Sequence, residues 1–357
     1  MVAIGFAAPD HVVMNAIRTQ LRGLAAVLVA AQTIAACTPT PPGLHTVGGT
    51  AQGTTYSLQW SGGSADIDTI AAAAEDELER LDAMLSNYRS DSVIERFNAT
   101  RSTAPQSLPA ELIQLLGIAQ DVHAASEGCF DPTVRPLVRA WKFDSDEPAA
   151  PPVGTIETLQ ANVGFDKLVI LDAEHVRKVA PDLAIDMSSI GQGYTAERLA
   201  TVLEQYGATS YLAEIGGEIV ARGTKPDGAR WRVGVENPAP GGPAGPAIRL
   251  PAAGRAAVVT SGTYRHYFDA TGRRFSHIID PRTGWPVEHD LVAVTVLARD
   301  GAHAAAWGTA LLCLGPEPAA AIAEKESVAA FFWRRQGDAI TLTHSTALAT
   351  EWPGSLD

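Results

Sequence analysis

Leu291–Leu314, LVAVTVLARDGAHAAAWGTALLCL, decides the fold class. Its β-branched start, Leu291–Leu297, predicts a strand. Gly301–Leu314 predicts a helix directly after it. Working outward, Val328–Trp333 reads as a late strand, and Trp231–Glu236 alternates as another. Between these, Asn237–Pro246 is a Pro/Gly-rich loop. Upstream, Tyr211–Ile215 is a strand that runs into Gly216-Gly217. Gly193–Tyr206 is a helix with Leu199, Val202 and Leu203 inward and Gly207 just past its end. Pro109 opens a helix whose buried face is Leu112, Leu115, Leu116, Ala119 and Val122, and Gly128 stops it. Asp66–Ser86 is a helix with one apolar stripe, Ile70, Ala74, Leu78, Leu81 and Leu85. Thr54–Trp60 is a strand, and Ser145–Val153 a surface loop. Strands and helices mix without a regular β-α-β-α repeat. The fold class is therefore α+β, with antiparallel sheets and packed helices, rather than a doubly wound parallel sheet.

The chain's 357 residues suit one large domain or two modest ones. With 27 Lys and Arg against 40 Asp and Glu, the net charge of −13 argues against sequence-independent binding to nucleic acid, which needs basic surface. No Walker motif or G-x-G-x-x-G after a strand is present, nor the G-x-S-x-G elbow of a Ser-His-Asp hydrolase. Residues 1–36 read as a signal peptide with an N-terminal extension, since Met14 is a second plausible start. Arg18 and Arg22 form its basic region. Gly23–Ala31 is an apolar run too short to span a bilayer comfortably. Ile34-Ala35-Ala36-Cys37 matches a lipobox, so Cys37 is the expected lipidation site, anchoring the protein to the outside of the cell membrane. An amphipathic core helix would account for the apolar run but not for the basic flank and small-residue site beside it. Residues 37–48 read as a tether, 49–345 as the functional domain and 346–357 as a C-terminal tail. The remaining cysteines, Cys129 and Cys313, give no sequence sign of pairing, and a disulfide stays open.

Four clusters could carry chemistry. Gly128-Cys129-Phe130-Asp131-Pro132-Thr133 is a polar turn after a helix. Asp186–Gly193 reads as a strand end passing through glycines into a helix, whose N-terminus suits phosphate. Ser276–Gly284 places His277, Asp280 and Thr283 near a Pro/Gly turn. The fourth is the helix start at Ala305–Thr309. Each taken alone is more often a capped helix or an Asx turn. Asp131 and Asp280 fit turn formers, and His277 a hydrogen-bonded structural histidine.

In order and spacing the clusters resemble the FAD:protein FMN transferase (ApbE) family. The matching residues run from Gln52 to Gly315. They include Gly53-Thr54 with Tyr56, Leu85–Tyr88, Asp91-Ser92, Arg96–Asn98, the Gly128–Thr133 turn with Pro136-Leu137 and Trp141, and Asp186–Tyr194. They continue through Glu214–Gly217, Trp231–Val233, Thr260–Tyr264 and Ser276–Gly284. The resemblance implies an ApbE-like, T-fold-like architecture. It implies an exported or lipid-anchored enzyme that uses Mg²⁺ to split FAD. FMN would pass to a Thr or Ser of a partner redox protein, and AMP would be released. Gln52, Tyr88, Cys129, Phe130, Asp131, Asp186, Gln192, Ile279 and Gly308 fall where the family contacts FAD, with Tyr88 placed against the flavin ring. Ser189, through its main-chain oxygen, and Thr309, through its hydroxyl, fall where it binds the metal.

One position departs from the pattern. Where the family carries a metal-binding Asp four residues before that Thr, this chain has Ala305. A missing carboxylate weakens binding of a divalent ion. Asp300 and His303 are close in sequence, but 303 points away from 305 on a helix. Two alternatives to an active transferase follow: a non-catalytic FAD-binding lipoprotein, and an FAD pyrophosphatase in which water replaces the acceptor hydroxyl.

Overall fold

Eight strands pair side by side in chain order, every neighbour antiparallel: β1 His45–Ala51, β2 Thr54–Gly62, β3 Ala208–Ile215, β4 Glu218–Arg222, β5 Arg255–Gly262, β6 Leu291–Ala298, β7 Ala329–Gln336 and β8 Ala339–His344. The computed structural model describes residues 43–143, 147–239, 245–264, 266–270, 272–337 and 339–355. The expected signal peptide and Cys37 lie outside those residues. Nine helices occur among them: α1 Ile67–Leu85, α2 Val93–Ala99, α3 Ala110–Ala125, α4 Arg135–Trp141, α5 Val153–Gln160, α6 Ser188–Gln205, α7 Gly301–Leu314, α8 Pro316–Lys325 and α9 Thr346–Glu351. None is long and apolar enough to cross a membrane.

The sheet is covered on both faces, which is why β6 is an almost unbroken apolar run. Val294 and Val296 join Ala257 and Val259 of β5 beneath α6 and α7, alongside Leu199, Leu203 and Leu311. Val258, Ala293 and Leu297 face the other way, toward Trp231, Phe331 and Trp333. A second core lies between α1, α2, α3 and α7, built from Leu81, Phe97, Leu112, Leu116 and Ala306.

The expected α+β class with antiparallel sheets is what forms, with several corrections of detail. His45–Ala51, placed largely in the tether, is an edge strand paired with β2. The residues read as a C-terminal tail contain α9, whose Ala347 and Leu348, with Trp352, are buried in the core beneath β7. Leu183–Met187 belongs to no strand, so Asp186 is not a strand end, and α6 begins at Ser188, five residues before the expected Gly193. Gly191 and Gly193 therefore lie inside the helix, where Gly193 serves close packing against α7. By contrast α7 begins and ends where expected, because Asp300 caps it through the His303 N–H at 2.9 Å and Gly315 leaves it at φ +79°.

Candidate active site

The four clusters converge. The Asp186 N–H donates to the Pro132 carbonyl at 2.6 Å, joining the turn after α3 to the approach to α6. Cys129 and Cys313 form a disulfide with a Cα–Cα distance of 5.7 Å, which ties the same turn to the end of α7. An Asp280 oxygen lies within 4.8 Å of both sulfurs, so the Ser276–Gly284 turn abuts this link. Gly193 of α6 touches α7 so closely that a Cβ there would sit 2.2 Å from the Gly301 carbonyl and 2.8 Å from the Ala305 methyl.

The carboxylates in this region mostly organise the protein. Asp131 Oδ1 accepts from the Thr133 N–H at 2.8 Å and the Thr133 hydroxyl at 2.6 Å, and Oδ2 accepts from the Phe165 N–H at 3.0 Å. Burial pushes its pKa up even against the bonds from Thr133. Asp280 accepts from the Arg282 N–H and guanidinium. Both are therefore the turn formers their sequence suggests. Asp186 is buried, and its Oδ1 accepts from Asn87 Nδ2 at 2.7 Å and from the Ser188 N–H and hydroxyl. Its Oδ2 lies 3.4 Å from Arg135 Nη1. That arrangement corrects the open phosphate site expected at the start of α6. The Ser188 N–H is held by Asp186, and those of Ile190 and Gly191 by the Met187 carbonyl.

The side chains with something to offer a ligand sit around this frame. Tyr88 is 79% exposed, an aromatic ring at the surface next to the Asn87–Asp186 hydrogen bond. Gln52, at φ +50° in the β1–β2 turn, donates through Nε2 to the Thr195 hydroxyl at 3.1 Å, which brings that turn onto α6. Gln192 projects toward the Gly216 turn between β3 and β4, where a Cβ on Gly216 would lie 3.3 Å from its amide. Gly308 leaves room for Ser261 at the end of β5, whose hydroxyl would stand 2.9 Å from a Cβ there. Phe130, Cys129 and Ile279 are buried and pack behind the site. The thiol of Cys129 is consumed by the disulfide.

His277 has a defined tautomer. Its Nδ1 faces the His266 carbonyl at 3.0 Å and must carry the proton, which leaves Nε2 as the acceptor. Burial holds its pKa at about 4, so the ring is neutral near pH 7.

The metal residues expected from the sequence lie on facing helices, Ser189 in the first turn of α6 and Ala305 and Thr309 on one face of α7. The Thr309 hydroxyl makes no hydrogen bond to a described residue, and the Ser189 carbonyl has a second lone pair beyond the helical bond. A hydroxyl and a carbonyl are hard oxygen donors of the kind Mg²⁺ takes. Asp300 and His303 do not replace the missing Asp, since they bind each other at 2.8 Å.

Sequence reading passed over two participants. Arg135, 3% exposed, donates to the Asn87 carbonyl at 2.9 Å and braces Asp186. Its signal was a basic residue two positions after the Gly128–Thr133 turn. Glu218 lies one residue beyond the quoted Glu214–Gly217 stretch, and its Oε2 reaches the Gly193–Ala305 contact.

Fold and site together define an α+β protein in which an exposed tyrosine and hard oxygen donors on two facing helices stand around a frame of joined turns. The ApbE family model matches residues 52–332. A protein of Escherichia coli K12 named FAD:protein FMN transferase is 34% identical over 297 residues, covering 80% of this chain and 84% of that protein. One from Vibrio cholerae with the same name is 35% identical, covering 87% and 92%. The crystal structure of Pseudomonas stutzeri flavinyl transferase ApbE, apo form, superposes with a TM-score of 0.79 at 35% identity, covering 87% of this chain and 96% of that one. The chain belongs to the ApbE family, a family of transferase enzymes.

Proposed function

We propose that the protein transfers FMN from FAD to a Thr or Ser hydroxyl of an exported redox protein, with Mg²⁺ as cofactor and AMP as leaving group. The observation that carries the reading is the meeting of the four clusters around one frame, with Tyr88 exposed at its edge. In the reaction the hydroxyl oxygen bonds to the FMN phosphorus, the P–O–P bridge breaks and AMP leaves with its electron pair. Tyr88 covers the isoalloxazine face. Gln192 and the Gly216 turn line the ligand's path, and the Asn87–Asp186–Arg135 network holds the Phe130–Thr133 turn against it. Ser189 and Thr309 would hold the metal, which masks pyrophosphate charge and favours attack. His277, neutral with Nε2 available, is suited to accept the hydroxyl proton.

Ala305 favours one second reading, a flavin-binding protein without transfer activity. The deciding experiment incubates the protein with FAD, Mg²⁺ and an acceptor domain. Covalent acceptor fluorescence with matching AMP supports transfer. AMP without fluorescence indicates a pyrophosphatase, and FAD binding with neither product indicates the non-catalytic reading. The lipobox supports anchoring at Cys37 on the outer side of the cell membrane. Wild type should partition with membranes and Cys37→Ser should not, and a soluble wild type retaining residues 14–36 would end that reading.

A further inference from the structure

We infer that Glu218 supplies the carboxylate that position 305 lacks, so that the metal site of this chain draws its anionic group from the sheet instead of from α7. The inference rests on the metal-dependent reading above. Glu218 is the first residue of β4, directly after the Gly216-Gly217 turn, whose φ values of +63° and +93° reverse the chain tightly. It stands opposite Ile215 across the hairpin, in a strand that packs against both α6 and α7. Its Oε2 is shielded from solvent. That oxygen would lie 3.0 Å from a Cβ on Gly193, and the Ala305 methyl would lie 2.8 Å from the same point.

Glu218 Oε2 and the Ala305 side chain thus flank one spot on α6. Ala305 is 2% exposed and faces the helix that carries Ser189 one turn earlier. An Asp at 305 would project its oxygens from a methyl that already borders the Glu218 carboxylate. The longer Glu side chain, reaching in from β4, brings an oxygen to that spot without one. Glycine at 193 makes this possible, because any Cβ there would displace the carboxylate oxygen. With the Ser189 carbonyl and the Thr309 hydroxyl, Glu218 completes a set of hard oxygen donors carrying one negative charge.

The test is Mn²⁺ binding followed by electron paramagnetic resonance on the purified full chain without added FAD, for wild type, Glu218→Gln, Ala305→Asp and the double variant. Thermal melts without metal show that each is folded. Glu218→Gln should weaken Mn²⁺ binding at least tenfold while leaving FAD affinity within about twofold. Ala305→Asp added to Glu218→Gln should recover most of that loss, because it returns a carboxylate to the same spot. Unchanged Mn²⁺ binding in Glu218→Gln overturns the inference, as does a wild type that binds Mn²⁺ only after Ala305→Asp. A wild type that binds Mn²⁺ as expected but transfers no FMN would instead sink the proposed function and leave the metal site standing.

Discussion

His277 shows how a residue's environment sets its chemistry. Free imidazole is half protonated near pH 6.5, whereas burial and the neighbouring His266 ring hold His277 near pH 4. Between those two values the unfolded chain binds a proton that the folded chain refuses. This residue's contribution therefore favours folding above about pH 6.5 and is lost as pH falls toward 4. Replacing it with Gln should flatten the acid side of a stability-against-pH curve over that window. The same substitution removes the Nε2 acceptor, and transfer should fall by about a hundredfold if the ring takes the hydroxyl proton. Full transfer in His277→Gln would exclude that role. Asp131 and Asp280 teach the opposite lesson. Their place before proline marks them as turn formers, and their oxygens are spent on Thr133, Phe165 and Arg282.

The element that matters most is the crossing of α6 and α7. Gly193 and Gly301 let the two backbones touch, since a Cβ on Gly301 would sit 1.9 Å from the Gly193 carbonyl. This contact also explains why α6 begins earlier than its glycines suggest. Glycine disfavours a helix in isolation, but here its missing Cβ admits a neighbouring helix. Gly193→Ala should destabilise the protein by about 1–3 kcal/mol through overpacking, seen as a drop of several degrees in thermal midpoint. It should also weaken Mn²⁺ binding, because the helices bearing Ser189 and Thr309 would be forced apart. An unchanged midpoint would show that the crossing has slack, contrary to the close contacts between Gly193 and Gly301. The boundaries of α7 were readable because its signals are local, a capping Asp300 and a terminal Gly315. Those of α6 were not, because the partner of its glycines is more than a hundred residues away.

At the scale of the molecule, the Cys129–Cys313 disulfide closes a span of 184 residues and fastens the Phe130–Thr133 turn to α7. Constraining so long a loop restricts the unfolded chain, so reduction or Cys313→Ser should cost about 2–4 kcal/mol of stability. Denaturant unfolding with and without dithiothreitol measures this, and coincident curves would mean the bond contributes nothing. The fold class, the stripe on α1, the strand of β6 and the helix of α7 followed from sequence alone, because apolar periodicity and caps act over a few residues. The ordered motifs carried the family for the same reason, each being a short local run. The disulfide, the packing of α9 through Leu348 and Trp352, and the arrival of Glu218 beside Ala305 were decided only by the tertiary structure. Each depends on which distant segments the sheet brings together, and no local spacing encodes that distance.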